Sequence, residues 1–250
     1  MSPMTFFRNA LKAQYQRTMS EAYAFARAAA TAQSASNVLD CGSGAGAEFH
    51  ATFGAVNTAP GFRYVGLEWN AAAAGAGASA GLDIRQSDLN KALPIPTESQ
   101  DCVIAYSVVE HLLMPCAFLR ECHRVLKPGG RLVVLTPNIS TYFTALQVLL
   151  GRMPSSGPHP DSDLLLELEQ PLKVTSLERE MGDLVSDRPM HRHLVVFSFR
   201  ALNRFLQLCG FRVISAKGFG YYPLPIGLQP IFERIDPKHC HQMVVVCEKT

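Results

Sequence analysis

Three glycines at alternate positions, Gly42, Gly44 and Gly46, follow the apolar-rich run Val38-Leu39-Asp40-Cys41 and lead into helix-compatible residues from Ala47. A strand that enters such a turn and leaves it as a helix is open to few folds. Glycines let the backbone approach a ligand closely, and the helix start offers N–H groups with no intrahelical partner. With Ala47 as its last member the stretch also fits G-x-G-x-x-G/A, which holds a pyrophosphate in dinucleotide-binding domains. Asp40 separates the two uses. A carboxylate at the mouth of the turn repels a pyrophosphate and suits a cationic ligand.

The rest of the chain carries the alternation forward. A helix to about residue 53 is expected, then strands at 62–68, 82–87, 101–107 and 131–136, with helices at 71–80 and from Pro115 to about 126. Later come helices at 141–150 and 198–209 and strands at 212–217 and 243–248. With the strand at 38–41 this implies an α/β, doubly wound, mostly parallel seven-stranded sheet with its ligand at the carboxyl ends of the strands. Asp40, Gly42, Glu68, Asp88 and Ser107 all fall at such ends. Glu68 comes 22 residues after Gly46, where a β-α-β unit places a carboxylate able to accept both ribose hydroxyls of an adenosine. Trp69, the one tryptophan, either covers an adenine face or packs in the core. No convincing helix separates the last two strands, so one antiparallel strand is expected near the sheet edge.

Two segments stand outside this alternation. Residues 1–36 are expected to form a helical cap, a helix pair over the ligand cleft. Their Arg8, Lys12, Arg17 and Arg27 against Glu21 give a composition that transit peptides share. Residues 37–250 form the main domain, with an insertion at about 140–196. There Pro154, Pro158 and Pro160 mark a loop or lid, and residues 164–185 are amphipathic and expected to be helical in part.

Composition excludes several classes. A net charge of +2 gives no strong field toward nucleic acid or membrane, and no aromatic-basic platform appears, so no nucleic-acid partner is expected. No apolar run reaches the roughly 18 residues of a membrane helix, so no membrane span is expected. Seven cysteines without a C-x-x-C pair imply reduced thiols and a cytoplasmic location. Alternation sends the side chains of His239, Cys240 and His241 to opposite faces, which speaks against a metal cluster there.

The acidic-then-GxGxG form of residues 40–46 resembles motif I of the class I S-adenosylmethionine-dependent methyltransferases. "DCVIAYSVVEHL" (101–112) and "RVLKPGGRLVVLTPN" (124–138) closely resemble the motifs of type 11 methyltransferases, including quinone O-methyltransferases. The resemblance covers roughly residues 37–138. It implies S-adenosylmethionine as cofactor, bound by Asp40, Gly42, Gly44, Gly46, Glu68, Trp69, Asp88, Leu89 and Ser107. Asp88 would accept the adenine amino group while the next backbone N–H meets a ring nitrogen. The implied activity is methylation, expected at oxygen, of a small molecule or biosynthetic intermediate. His111 is the expected catalytic base, with His191 and His193 as alternatives reaching in from the lid. The similar quinone enzymes use acidic residues and this histidine around a divalent metal. Here Ser107 stands three positions before Glu110, where they have an acid, and no metal is expected. Two other classes stay open: a nicotinamide-dependent oxidoreductase on the same turn, for which no hydride-transfer constellation is visible, and a non-catalytic S-adenosylmethionine-binding protein.

Overall fold

Valine- and leucine-rich strands buried on both faces require helices on both sides, and that is the architecture of the computed structural model. It describes residues 3–32, 34–54, 60–160, 162, 165 and 192–250. Seven strands form one sheet: β1 (Asn37–Cys41), β2 (Arg63–Glu68), β3 (Ile84–Gln86), β4 (Gln100–Tyr106), β5 (Leu126–Pro137), β6 (Phe211–Phe219) and β7 (Gln242–Lys249). Their order is β3-β2-β1-β4-β5-β7-β6. The chain goes outward one way from β1 and the other way from β4, so the point where the direction reverses lies between these two strands, where such sheets bind ligands. β7 runs antiparallel to both β5 and β6, as the missing crossover required, while the other pairings are parallel.

Period-two alternation divides the core. Leu39, Leu67, Val103 and Leu132 face α3 (Pro115–Val125) and α5 (Phe199–Leu208), meeting Phe118, Leu119, Leu202 and Leu206. Val38, Ile104 and Val133 face the other way, toward Phe49, Phe53 and α1 (Pro3–Thr31). In place of a helix pair, α1 is one continuous helix of 29 residues. Ala22, Ala26 and Ala30 recur every four residues, are buried, and belong to that second core. Small side chains at this spacing bring the helix backbone close to the sheet. α2 (Ala71–Ser79) is capped by Asn70, whose side chain accepts from the N–H groups of Ala72 and Ala73. α4 (Tyr142–Leu149) is capped by Thr141.

Two local features depart from expectation. Lys127-Pro128-Gly129-Gly130 does not precede β5 but bulges from it: Gln100 pairs with Leu126 and Cys102 with Arg131. Between β6 and β7 the chain forms a short helix, α6 (Gln229–Ile235), and a 3-10 turn at Pro237–His239. The helix expected at 164–185 lies outside the described residues except for Leu165. Among the described residues, no helix is long and apolar enough to cross a membrane.

Candidate functional site

At the carboxyl end of β1 the chain turns tightly against β2. Gly42 and Ser43 both donate to the Leu67 carbonyl, at 2.7 and 3.2 Å, and Gly46 donates to that of Ser43. Gly42, Gly44 and Gly46 all adopt positive φ, which side chains disfavour. A Cβ on Gly42 would also strike the Val108 side chain, whereas one on Gly44 would meet nothing within 4 Å. The turn is therefore packed from below and open above. Glu68 lies across it: Oε2 accepts from Gly44 N–H at 2.8 Å and Oε1 from Asn70 N–H at 2.7 Å. Each oxygen keeps a second lone pair for a ligand hydroxyl.

The neighbours continue this rim. Trp69 is 54% exposed, so the core-packing alternative is set aside and its ring is available to cover a flat ligand. The Asp88 carboxylate accepts from the backbone and side-chain N–H groups of Asn90 and is held below the usual carboxylate range chiefly by the backbone bond. The Leu89 side chain is buried in the core, which leaves its backbone as the part that can meet a ligand.

Asp40 is placed differently from the expectation of a carboxylate at the mouth of the turn. Alternation directs it with Val38 toward the α1 face, where it is 3% exposed and accepts from the Tyr64 hydroxyl at 2.7 Å. It lies beneath the turn. Burial raises its pKa from 3.8 to about 7 against the opposing Tyr64 bond. The folded protein thus holds this proton more tightly than the unfolded chain. The resulting stability is present below about pH 4 and is lost as pH rises through 7, by at most about 4 kcal/mol. Asp40→Asn keeps an acceptor for Tyr64 without ionising. Its melting temperature should fall less than that of the wild type between pH 5 and pH 8; an equal fall would refute the buried-acid account.

The other side of the cleft follows β4. Ser107, at φ +53, holds a left-handed conformation rare for a residue with a side chain, the kind of local strain that clusters at functional sites. A 3-10 turn, Val109–His111, comes next. Glu110 is buried, accepts from the Thr136 hydroxyl at 2.8 Å, and is pushed up to about 7 by burial. His111 is half-buried, and its Nδ1 lies 2.8 Å from the Arg192 carbonyl oxygen. A carbonyl can only accept, so Nδ1 carries the hydrogen and Nε2 carries the lone pair. Burial lowers the His111 pKa below 6.5, which keeps the ring neutral at pH 7.

The segment around residue 193 docks on this turn. The N–H groups of Leu194 and Val195 point to the Glu110 carbonyl, at 2.6 and 3.3 Å. His193 meets His111 edge-on, ring centroids 5.2 Å apart, and stacks on His159. Its Nδ1 donates to the Ser156 carbonyl. One ligand atom each from Glu110, His111 and His193 lies within 4.8 Å of the others, a group that could hold a metal ion. His159 carried no signal in the sequence. His191 lies outside the described residues.

A family profile described as a methyltransferase domain matches residues 11–216. Over 61 residues the chain is 46% identical to a probable S-adenosylmethionine-dependent methyltransferase of Mycolicibacterium smegmatis, covering 24% of this chain and 23% of that one. It is 29% identical over 161 residues to a ubiquinone biosynthesis O-methyltransferase of Xanthomonas oryzae, covering 59% and 64%. The matches thus span under two thirds of either relative. Among solved structures, the [4+2]-cyclase SpnF superposes with a TM-score of 0.57 over 91% of this chain and 80% of its own, at 15% identity. That likeness speaks for the fold alone. With the profile covering most of the chain, the protein belongs to the methyltransferase domain family.

Proposed function

We propose that this chain is an S-adenosylmethionine-dependent methyltransferase that methylates a hydroxyl oxygen of a small molecule. The observation that carries the oxygen acceptor is the tautomer of His111, which leaves a lone pair on Nε2 at the carboxyl end of β4. The open space above Gly44, the exposed Trp69 ring and the remaining lone pairs of Glu68 fit the adenosine part of the cofactor. When bound, S-adenosylmethionine supplies an electrophilic methyl group on a positively charged sulfur. Asp40, buried beneath the turn, would favour that charge only in its ionised form, and Ser107 would border the path to it.

His111 Nε2 would take the proton of an acceptor hydroxyl as that oxygen receives the methyl group the bound cofactor would supply. The remaining task is alignment, which can account for about 7–11 kcal/mol of barrier lowering. The insertion at 140–196 would supply the acceptor lid and exclude water from the displacement; residues 192–195 of it dock beside His111, residues 166–191 lie outside the described ones, and α1 would cap the cofactor side. Cysteines without a disulfide suit the reducing cytoplasm.

Melting curves with ligands test this directly. S-adenosylhomocysteine should raise the melting temperature and NAD should not, because only a ligand of the native state stabilises it. The opposite result would restore the oxidoreductase. Turnover of phenolic or alcoholic acceptors then separates an enzyme from a silent binder.

Glu110, His111 and His193 support a second reading. Both imidazoles have Nδ1 on a backbone carbonyl, the outer-shell arrangement typical of metal-bound histidines. A divalent cation there would polarise the acceptor hydroxyl, with His111 as ligand instead of base. Turnover lost on chelation and restored by added divalent metal would select this version.

A further inference from the structure

Two helices of the fold carry their apolar side chains outward. In α4 the buried side chain is Thr144, and half-buried Gln147 accepts from the Ser155 N–H at 3.0 Å. Tyr142, Leu146 and Leu149, spaced as one helical stripe, are exposed, Leu149 by 83%. α6 repeats the inversion. Gln229 and Glu233, four positions apart, are buried, and Arg17 of α1 holds their side chains at 3.1 and 3.4 Å. Leu228, Ile231, Phe232 and Ile235 share the opposite stripe and are exposed, Ile235 by 73%.

The two stripes adjoin. The Tyr221 ring lies between them, its centre 6.0 Å from that of Tyr142 and 5.3 Å from that of Phe232. Contiguous apolar surface on neighbouring helices marks a contact with something outside the chain. Charge says with what. Arg152, three residues past α4, Arg234 within α6 and Lys238 just after it are all exposed. Among the described residues, none of the three forms an ion pair. The nearby acids are engaged elsewhere: Glu233 by Arg17 and the Gly220 N–H, Asp236 by the Tyr221 hydroxyl and His239. A second copy would bring these like charges together.

We infer that α4 and α6 together seat the protein on an anionic membrane surface. The aliphatic side chains enter the lipid while Arg152, Arg234 and Lys238 meet the headgroups, and Tyr142 suits the boundary between the two. A net charge of +2 gave no such expectation, because the field arises from where three cations stand and not from their sum. The helices lie on the bilayer and do not cross it. Nothing in this depends on the cofactor.

Co-sedimentation of the full chain with vesicles tests this. Partitioning should be about tenfold or more stronger on phosphatidylcholine mixed equally with phosphatidylglycerol than on phosphatidylcholine alone, and added salt should reduce it. Arg234→Gln should lower the partition coefficient about fivefold. Leu149→Glu and, independently, Ile235→Glu should each lower it by about tenfold or more. Melting curves confirm that each variant is folded, and either of these two suffices. Leu208→Glu, at a comparably exposed leucine on α5, should leave the coefficient within about twofold. No partitioning on either vesicle, equal partitioning on both, or an equal loss from Leu208→Glu would overturn the inference. So would a dimer, seen by light scattering, that Ile235→Glu dissolves without changing vesicle binding; the face would then belong to a second copy.

Discussion

Replacing His111 with glutamine should lower the turnover number by about 10²- to 10⁴-fold, the usual contribution of a positioned general base. Glutamine can still donate to the Arg192 carbonyl, so the docked segment keeps its anchor, but its amide cannot accept a proton at neutral pH. Affinity for S-adenosylhomocysteine should stay within about twofold, because the loss concerns the transition state and not ground-state binding. The pH profile supplies a sharper criterion. Burial holds the His111 pKa below 6.5, so the wild-type rate should rise as pH climbs through that lowered value and then level off. The variant should lack this rise. Unchanged turnover, or a rise that persists in the variant, would remove His111 as the base.

Glu68→Ala should weaken S-adenosylhomocysteine by about 1.5–3 kcal/mol, roughly 10- to 150-fold in dissociation constant, as expected for hydrogen bonds to a carboxylate. Two causes add. The ribose loses its acceptor, and the N–H groups of Gly44 and Asn70 lose the oxygens that hold the turn and the start of α2 in place. Glu68→Gln divides them, since one amide oxygen remains for the turn while the charge is gone. Calorimetry on both variants, beside their melting temperatures, checks this. Unchanged affinity in the alanine variant would reject Glu68 as a cofactor ligand.

What could be read from the sequence was what neighbouring residues decide. The spacing from the glycine turn put Glu68 at the end of β2 beside that turn, and the missing crossover gave the antiparallel β7. The same local logic gave the Ser198 and Thr141 helix starts, where each side chain accepts from an N–H three residues on. Period-two alternation also applied to Asp40, yet it says which residues share a face and not which face meets the cleft. That choice depended on where α1 and Tyr64 pack. His193 reaches His111 across 82 positions, a distance that no periodicity encodes. α6 was missed because it is seven residues long, too short for an apolar period to show.

The carbonyl that fixes the His111 tautomer belongs to Arg192, in the docked segment and not in the sheet. The same segment holds the Glu110 carbonyl through Leu194 and Val195. With His111 as the proposed base, proton removal would therefore be tied to a particular order of events. Until residues 192–195 are seated, nothing compels the hydrogen onto Nδ1, and Nε2 can carry it instead. The seated segment leaves the Nε2 lone pair free to accept a proton. On the proposed reading, a reactive methyl donor held in the cleft beforehand would face no activated water, because the base would be armed last.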